Sequence, residues 1–172
     1  MIKDKIKILR KKFKKFKIDG YIVPKNDEYF SEYTKNDRLK NISNFSGSAG
    51  IAVILKKNNY LFVDGRYTIQ AQKEADKNFK IIEIHKKLPH AIIKNHNLGY
   101  DPKLFTSKSL KHHFSNNNLI SIKDNLIDQI FTFKEKSTKP FYSLKKNIVG
   151  ETHQSKIIKI SKFLKSNKAD YL

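Results

Sequence analysis

The sequence predicts an α/β fold, a mixed β-sheet flanked by helices. Three features carry that prediction. Short apolar runs alternate with segments of helical period along most of the chain. Two of the runs, Ile51–Leu55 and Tyr60–Val63, are joined by the polar turn Lys56–Asn59 and read as a β-hairpin, which brings an antiparallel pair into the sheet. The 172 residues suffice for a normal core and leave a remainder beyond one domain.

Residues 2–18 form the first predicted helix. Ile2, Ile6, Leu9, Phe13 and Phe16 recur at helical spacing on one face, and lysines fill the other. Such a helix covers a sheet or lies on a membrane surface, and covering a sheet is the reading adopted. Asp19-Gly20 ends it, with Gly20 available for a left-handed cap. Tyr21–Pro24 is a short buried strand stopped by Pro24. Residues 26–33 are polar with aromatics and read as a loop, and Asn36 or Asp37 caps a turn leading into Arg38. After the hairpin, Asp64 stands where a strand hands over to a helix, and its carboxylate can accept from the first free N–H groups. Gly65 lets the chain bend, and Arg66 enters the first turn of a helix to about Lys77, with Tyr67, Ala71 and Ala75 inward. A strand at Lys80–Ile84 follows, then a helix over His85–Asn95 with Pro89 in its first turn. Next come a strand ending at Asp101-Pro102, a helix from Thr106 to Phe114 and a strand at Leu119–Ile122. Last is a short helix over Asn125–Phe131 capped by Asp124.

Residues 134–146 hold Pro140 and lack a period, so residues 1–133 are assigned to one domain and 134–150 to a linker. Residues 151–172 then read as the first helix of a second domain, with Ile157, Ile160 and Leu164 on its apolar face. Phe13–Ile22 and Phe163–Leu172 match in pattern: a helix end, a polar break, then a tyrosine opening an apolar run. The repeat suggests a truncated second copy of the first domain, and the chain is expected to be the front of a longer protein.

The formal net charge of +20 invites a nucleic-acid reading. Only Arg10, Arg38 and Arg66 are arginine, however, and base readout favours arginine over lysine. Lysine is spread along the chain beside isoleucine and asparagine, as AT-rich codons would give. Specific nucleic-acid binding is therefore not expected, although weak, salt-sensitive binding to polyanions is. There is no cysteine, hence no disulfide or thiolate site. No run reaches the length of a membrane span and no secretory signal opens the chain, so a cytoplasmic protein is expected.

No self-sufficient active site is legible. The histidines, His85, His90, His96, His112, His113 and His153, form no metal-binding spacing, and all read as exposed and neutral. Phe45-Ser46-Gly47-Ser48-Ala49-Gly50 does not match a serine nucleophile elbow. No catalytic or metal-ligating residue is assigned.

The organising stretch is Arg38–Arg66: Arg38-Leu39, then Asn41–Gly50 with Phe45, Gly47, Ser48 and Gly50, the hairpin, and Asp64-Gly65-Arg66. Gly47 and Gly50 flank two small residues, so the backbone can turn sharply and pack closely. This stretch, with Phe62–Tyr67, Gln70-Ala71, Gly99–Pro102 and Asn125–Phe131 in order, resembles the N-terminal domain of Xaa-Pro aminopeptidases (aminopeptidase P, creatinase/prolidase superfamily). Val149–Ile157 resembles the opening of the second domain in three-domain members. The resemblance implies a ribonuclease-H-like α/β unit. It also implies a parent hydrolase that removes the residue preceding a penultimate proline, using two divalent metals, manganese or sometimes zinc, held in a C-terminal domain. It implies an N-terminal domain that walls the substrate cleft and supports a homodimer. In the family, the arginine matching Arg66 contacts the peptide, and a guanidinium can hold a carbonyl or carboxylate through paired N–H bonds. The alternative, that Arg66 pairs with an internal carboxylate and holds the corner, stays open, and Asp64 reads as a cap. Two departures stand out: Asn44 replaces a usual Gly, at a position where Asn tolerates positive φ, and Asn41 replaces a common aromatic. The competing functional reading is a stand-alone basic binding module without peptidase chemistry.

Overall fold

The computed structural model describes residues 1–34, 36–131 and 140–170. The chain divides into two compact units, Met1–Glu135 and Lys136–Leu172.

The first unit is a six-stranded sheet, β1 Gly20–Pro24, β2 Gly50–Leu55, β3 Asn59–Val63, β4 Phe79–Glu83, β5 Asn97–Tyr100 and β6 Asn118–Ser121, in the order β4-β3-β2-β1-β5-β6. β2 is antiparallel to both neighbours, and the other pairings are parallel. The sheet is therefore mixed, as expected. The alternation of side chains along each strand sorts the core into two layers. Tyr21, Val23, Ala52, Ile54, Leu61 and Val63 face one cluster, and Ile22, Val53, Leu55, Phe62 and Leu98 face the other.

Helix α1 (Ile2–Phe16) covers the first face with Ile6, Leu9 and Phe13, the stripe its spacing predicts. Arg10, on the same helix, donates from Nε to the Leu55 carbonyl at 2.8 Å and from Nη2 to Asn59 at 3.0 Å, tying it to the hairpin turn. α2 (Arg38–Ser43) and α3 (Thr68–Glu74) complete this layer through Leu39, Ile42 and Ala71. The opposite layer is thinner. α4 is a single turn (Pro89–Ile92), and α5 (Ser107–Phe114) lays Leu110 and Phe114 on the sheet. Thr106 caps α5 by accepting from Ser109 N at 3.1 Å.

Four expectations need correction. The left-handed residue ending α1 is Lys17 (φ 51°), whereas Gly20 opens β1, where a Cβ would lie 2.5 Å from Leu55 Cδ2. The helix drawn over His85–Asn95 shrinks to the turn after Pro89, because Ile93 and the residues after it turn toward β5. The helix expected after Tyr67 stops at Glu74, and Ala75 is already extended. Residues 125–131 form turns organised by Asn125, whose Oδ1 accepts from Ile127 N at 2.9 Å, rather than a helix capped by Asp124.

In the second unit, α6 (Lys146–Val149) falls inside the segment read as linker, and α7 (His153–Ser166) starts at Thr152, which accepts from Ser155 N. Ile157, Ile160 and Phe163 are exposed on α7. The expected strand start at Tyr171-Leu172 and most of the first half of the linker lie outside the described residues.

His113 also departs from expectation. It is half-buried on α5, its ring 4.8 Å from that of His112, and its Nδ1 is buried without a hydrogen-bond partner. Burial first, then the neighbouring His112 and His90, pushes its pKa down. The folded chain therefore favours neutral His113. An unfolded histidine titrates near about 6.5, so this contribution is intact above that pH and is lost as pH falls below it. Urea midpoints of the wild type should drop more steeply between about pH 7.5 and about pH 5.5 than those of His113→Gln. Parallel pH profiles for the two proteins would refute the assignment.

Candidate functional site

The pairings Pro24 with Ile51 and Gly50 with Val63 place the carboxyl end of β1, the amino end of β2 and the carboxyl end of β3 at one end of the sheet. The loop after β1, the loop between α2 and β2, and the Asp64 corner all leave from there. In open α/β sheets this end is where ligands bind.

The loop before β2 is built on Phe45. Its ring is fully buried and sits edge-on to Tyr67, with centroids 6.0 Å apart. A Cβ on Gly47 would lie 2.2 Å from Phe45 Cζ, and one on Gly50 would sit 3.2 Å from Leu39, Phe45 and the Phe62 carbonyl. These glycines serve close packing. The left-handed position is Asn44 (φ 67°), as its residue type allows, and it ends α2. Glu74 ties the loop to α3: it accepts from Ser46 N at 2.8 Å and Ser46 Oγ at 2.7 Å, and these bonds lower its pKa.

At the corner, Asp64 accepts from Arg66 N at 3.0 Å and from Arg66 Nε at 2.9 Å, capping a 3-10 turn (Gly65–Tyr67) that leads into α3. The Arg66 side chain remains 74% exposed, with its guanidinium carbon 5.5 Å from the Tyr67 ring centre. Both readings of Arg66 thus find a basis: it is paired within the corner, and it faces solvent. The Ser48 and Tyr67 hydroxyls are 2.6 Å apart. Glu32, from the loop after β1, joins them. The hydroxyls of Ser48 and Tyr33 hold its carboxylate below the usual range, with Arg66 and Lys25 contributing. Nothing in the sequence singled out Glu32, because it lies in a loop without period. Gly65 lies against His85, whose ring carbon would be 2.7 Å from an added Cβ.

Arg38 lies elsewhere, and deeper. It is 8% exposed and donates from Nε and Nη2 to the two oxygens of Asp128, both at 2.7 Å. Burial alone would lower its pKa, but the Asp128 carboxylate outweighs this and raises it. Asp101 accepts from Asn125 Nδ2 and from Lys103 N, each at 2.9 Å. These residues line a cleft of about 720 Å³. Within it the Arg38–Asp128 pair is a clasp joining α2 to residues 125–131. Among the described residues no group of three or more His, Cys, Asp or Glu could hold a metal ion, so no chemical step is assigned to a metal in this chain.

Two outcomes test this geometry. Gly47→Ala should destabilise the chain by about 1–3 kcal/mol, because a buried ring cannot yield, whereas Gly65→Ala should be near neutral, since the exposed His85 ring can swing away. Asp128→Asn should cost about 1–2 kcal/mol, less than a fully buried pair would, because Asp128 is partly exposed and Glu28 still lies 3.9 Å from Arg38. Denaturant melts of the three variants check both.

Comparison with known proteins places this architecture. Residues 5–130 match the family model described as the creatinase/prolidase N-terminal domain. The chain is 32% identical over 177 residues to Xaa-Pro aminopeptidase 2 of Rattus norvegicus, covering 92% of this chain and 26% of that protein. It is also 32% identical to a probable Xaa-Pro aminopeptidase P of Laccaria bicolor, over 94% of this chain and 28% of that one. Among solved structures, the X-prolyl aminopeptidase of Caenorhabditis elegans, a cytosolic enzyme with a di-nuclear active site, superposes with a TM-score of 0.71 at 26% identity. That match covers 99% of this chain and 32% of the other. The chain thus spans about a quarter to a third of the length of these relatives. The chain belongs to the creatinase/prolidase N-terminal domain family.

Proposed function

We propose that this chain is the non-catalytic N-terminal domain of an Xaa-Pro aminopeptidase, which removes the residue preceding a penultimate proline. The observation that carries the reading is the likeness, over nearly the whole chain, to part of longer Xaa-Pro aminopeptidases, together with the match to an N-terminal-domain family. In this reading two divalent metals, manganese or zinc, belong to a catalytic domain beyond this chain. The domain frames the substrate cleft and supports a homodimer in the cytoplasm, with no membrane or specific nucleic-acid partner. No helix among the described residues is long and apolar enough to cross a membrane.

Within the domain, Arg66 is the substrate-binding residue, and Glu32 is its neighbour of opposite charge. Their support is physical. Arg66 is charged, mostly exposed and steadied by a short-range bond to Asp64, so it can turn its N–H edge to a peptide carbonyl or carboxylate. Ser48, Tyr67 and Phe45 hold the surface behind it.

The test is made on the full-length gene product. Arg66→Ala should lower kcat/KM for an Xaa-Pro peptide by about 10-fold or more, Arg66→Lys should recover part of the loss, and the melting curve should stay unchanged. Wild-type kinetics in Arg66→Ala would remove Arg66 from the site. Hydrolysis of the same peptide by the 172-residue chain with manganese would overturn the non-catalytic assignment. A reading frame that continues with paired Asp, then His and Glu ligands, is the expected genomic outcome.

A further inference from the structure

We infer that His85, packed against Gly65 and paired with Glu83, is a proton-responsive positioning residue for Arg66, one that tightens the corner's hold on a ligand carboxylate when it is charged. The inference rests on the reading of Arg66 as peptide-facing.

The sheet register brings the two residues together. β3 and β4 are parallel, Val63 stands beside Glu83, and Ile84 N donates to the Val63 carbonyl at 2.9 Å. The Asp64 corner and the turn after β4 therefore leave the same end of adjacent strands. Lys86 N and Lys87 N each donate to the Glu83 carbonyl at 3.1 Å, which closes that turn. His85 comes from the turn and lies over the backbone that carries Arg66. A Cβ added to Gly65 would stand 2.7 Å from its Cε1, 3.4 Å from Nδ1 and 3.6 Å from Nε2. The missing side chain of Gly65 is what lets the ring lie there. His85 Nε2 is also 3.3 Å from Glu83 Oε2. Among the described residues no other histidine lies within ion-pairing distance of a carboxylate.

The charges facing this ring come from both strands' ends. Glu83 and Lys86, joined at 2.8 Å, belong to β4 and its turn, and Asp64 and Arg66 belong to the corner. Helix α3 adds a neutral group, Thr68, whose hydroxyl donates to the Gly65 carbonyl at 3.1 Å. Asp64 grips Arg66 unevenly: Nε is 2.9 Å from one carboxylate oxygen, and Nη2 is 3.5 Å from the other. Histidine is the side chain that changes charge between about pH 5 and about pH 8. A proton on His85 sets a second cation beside Asp64, which loosens the internal pairing of Arg66. It also adds positive potential to an exposed corner. Both effects favour a carboxylate from a ligand over the internal one. Solvent screens them, so the consequence is a few-fold change in affinity.

The experiment joins two readouts. In the 172-residue chain, NMR follows the His85 ring and the Gly65 and Arg66 amides from about pH 5.5 to about pH 8. The amides should move in step with the ring, and His85→Gln should remove that step while strand amides keep their shifts. In the full-length gene product, the substrate is an Xaa-Pro tripeptide with a free carboxyl terminus. The KM of the wild type, divided by that of His85→Gln, should be about two- to three-fold lower at about pH 6 than at about pH 8. The same ratio of kcat should stay constant, and about 0.5 M NaCl should flatten the KM difference. The tripeptide amide should show no such difference. Amides that stay still while the ring titrates overturn the inference. So does a KM ratio that is flat with pH, or that changes equally for the acid and the amide. These outcomes leave the reading of Arg66 standing wherever Arg66→Ala still lowers kcat/KM. Wild-type kinetics in Arg66→Ala sink that reading itself, and this inference with it.

Discussion

The Phe45 ring is the contact on which the end of the sheet depends. It is fully buried, and burying such a ring stabilises a fold by about 1.5–3 kcal/mol. More consequential is what it touches. Gly47 lies so close that it could not carry a side chain without displacing the ring, and Gly50 packs tightly beside it, where a Cβ would sit 3.2 Å away. Tyr67 leans edge-on against the same ring from the first turn of the next helix. A strand end, a loop and a helix start are thereby fixed to one another by apolar packing. The polar links follow outward from that anchor: Tyr67 to Ser48, Asp64 to Arg66. The exposed charges inherit their positions from the core.

Two arginines of the motif show how burial sets the role of one residue type. Arg38 has lost most of its water, and its two bonds to Asp128 replace that hydration. A guanidinium so held is committed, because moving it would strand a charge in low dielectric. Arg66 makes a similar looking bond to Asp64, but in solvent, where the attraction is screened and worth little. It can exchange that partner for a ligand at small cost. The geometry therefore separates a structural arginine from an available one, which residue identity alone does not.

What the sequence disclosed follows the same division. The apolar stripe of α1, the hairpin and the Thr106 cap were legible because each is a local pattern of spacing or hydrogen bonding. The extent of the helix after His85 was not, because tertiary demands overrode propensity: the chain turns into β5 one turn after Pro89. Gly20 looked like a helix stop, yet its smallness answers to Leu55 and Ile54 across the sheet, contacts distant in sequence. Asp124 and Asn125 are both competent caps, and only Asn125 can also reach the buried Asp101. At the site, Arg66 and Asp64 stood out by their place at a strand end. Glu32 could not, since its importance comes from Ser48 and Tyr33 lying toward its carboxylate.

The remaining question is why an exposed loop should be so firmly tied. A surface loop of residues 25–34 with nothing to bury would ordinarily be loose, and ordering it on binding would consume part of the binding free energy. Here the ordering is already done. Asp27 fixes the backbone of the loop, and Lys25 pairs with Asp37 at 2.5 Å to fix its root. None of these bonds closes the loop over the core, so they do not enlarge the buried surface. Their effect is to give the loop that carries the exposed Tyr29 and Tyr33 its shape in the folded chain, which shifts the entropic loss of ordering it from binding to folding. In the proposed reading, where the domain contributes position rather than chemistry, that transfer is the form its function takes.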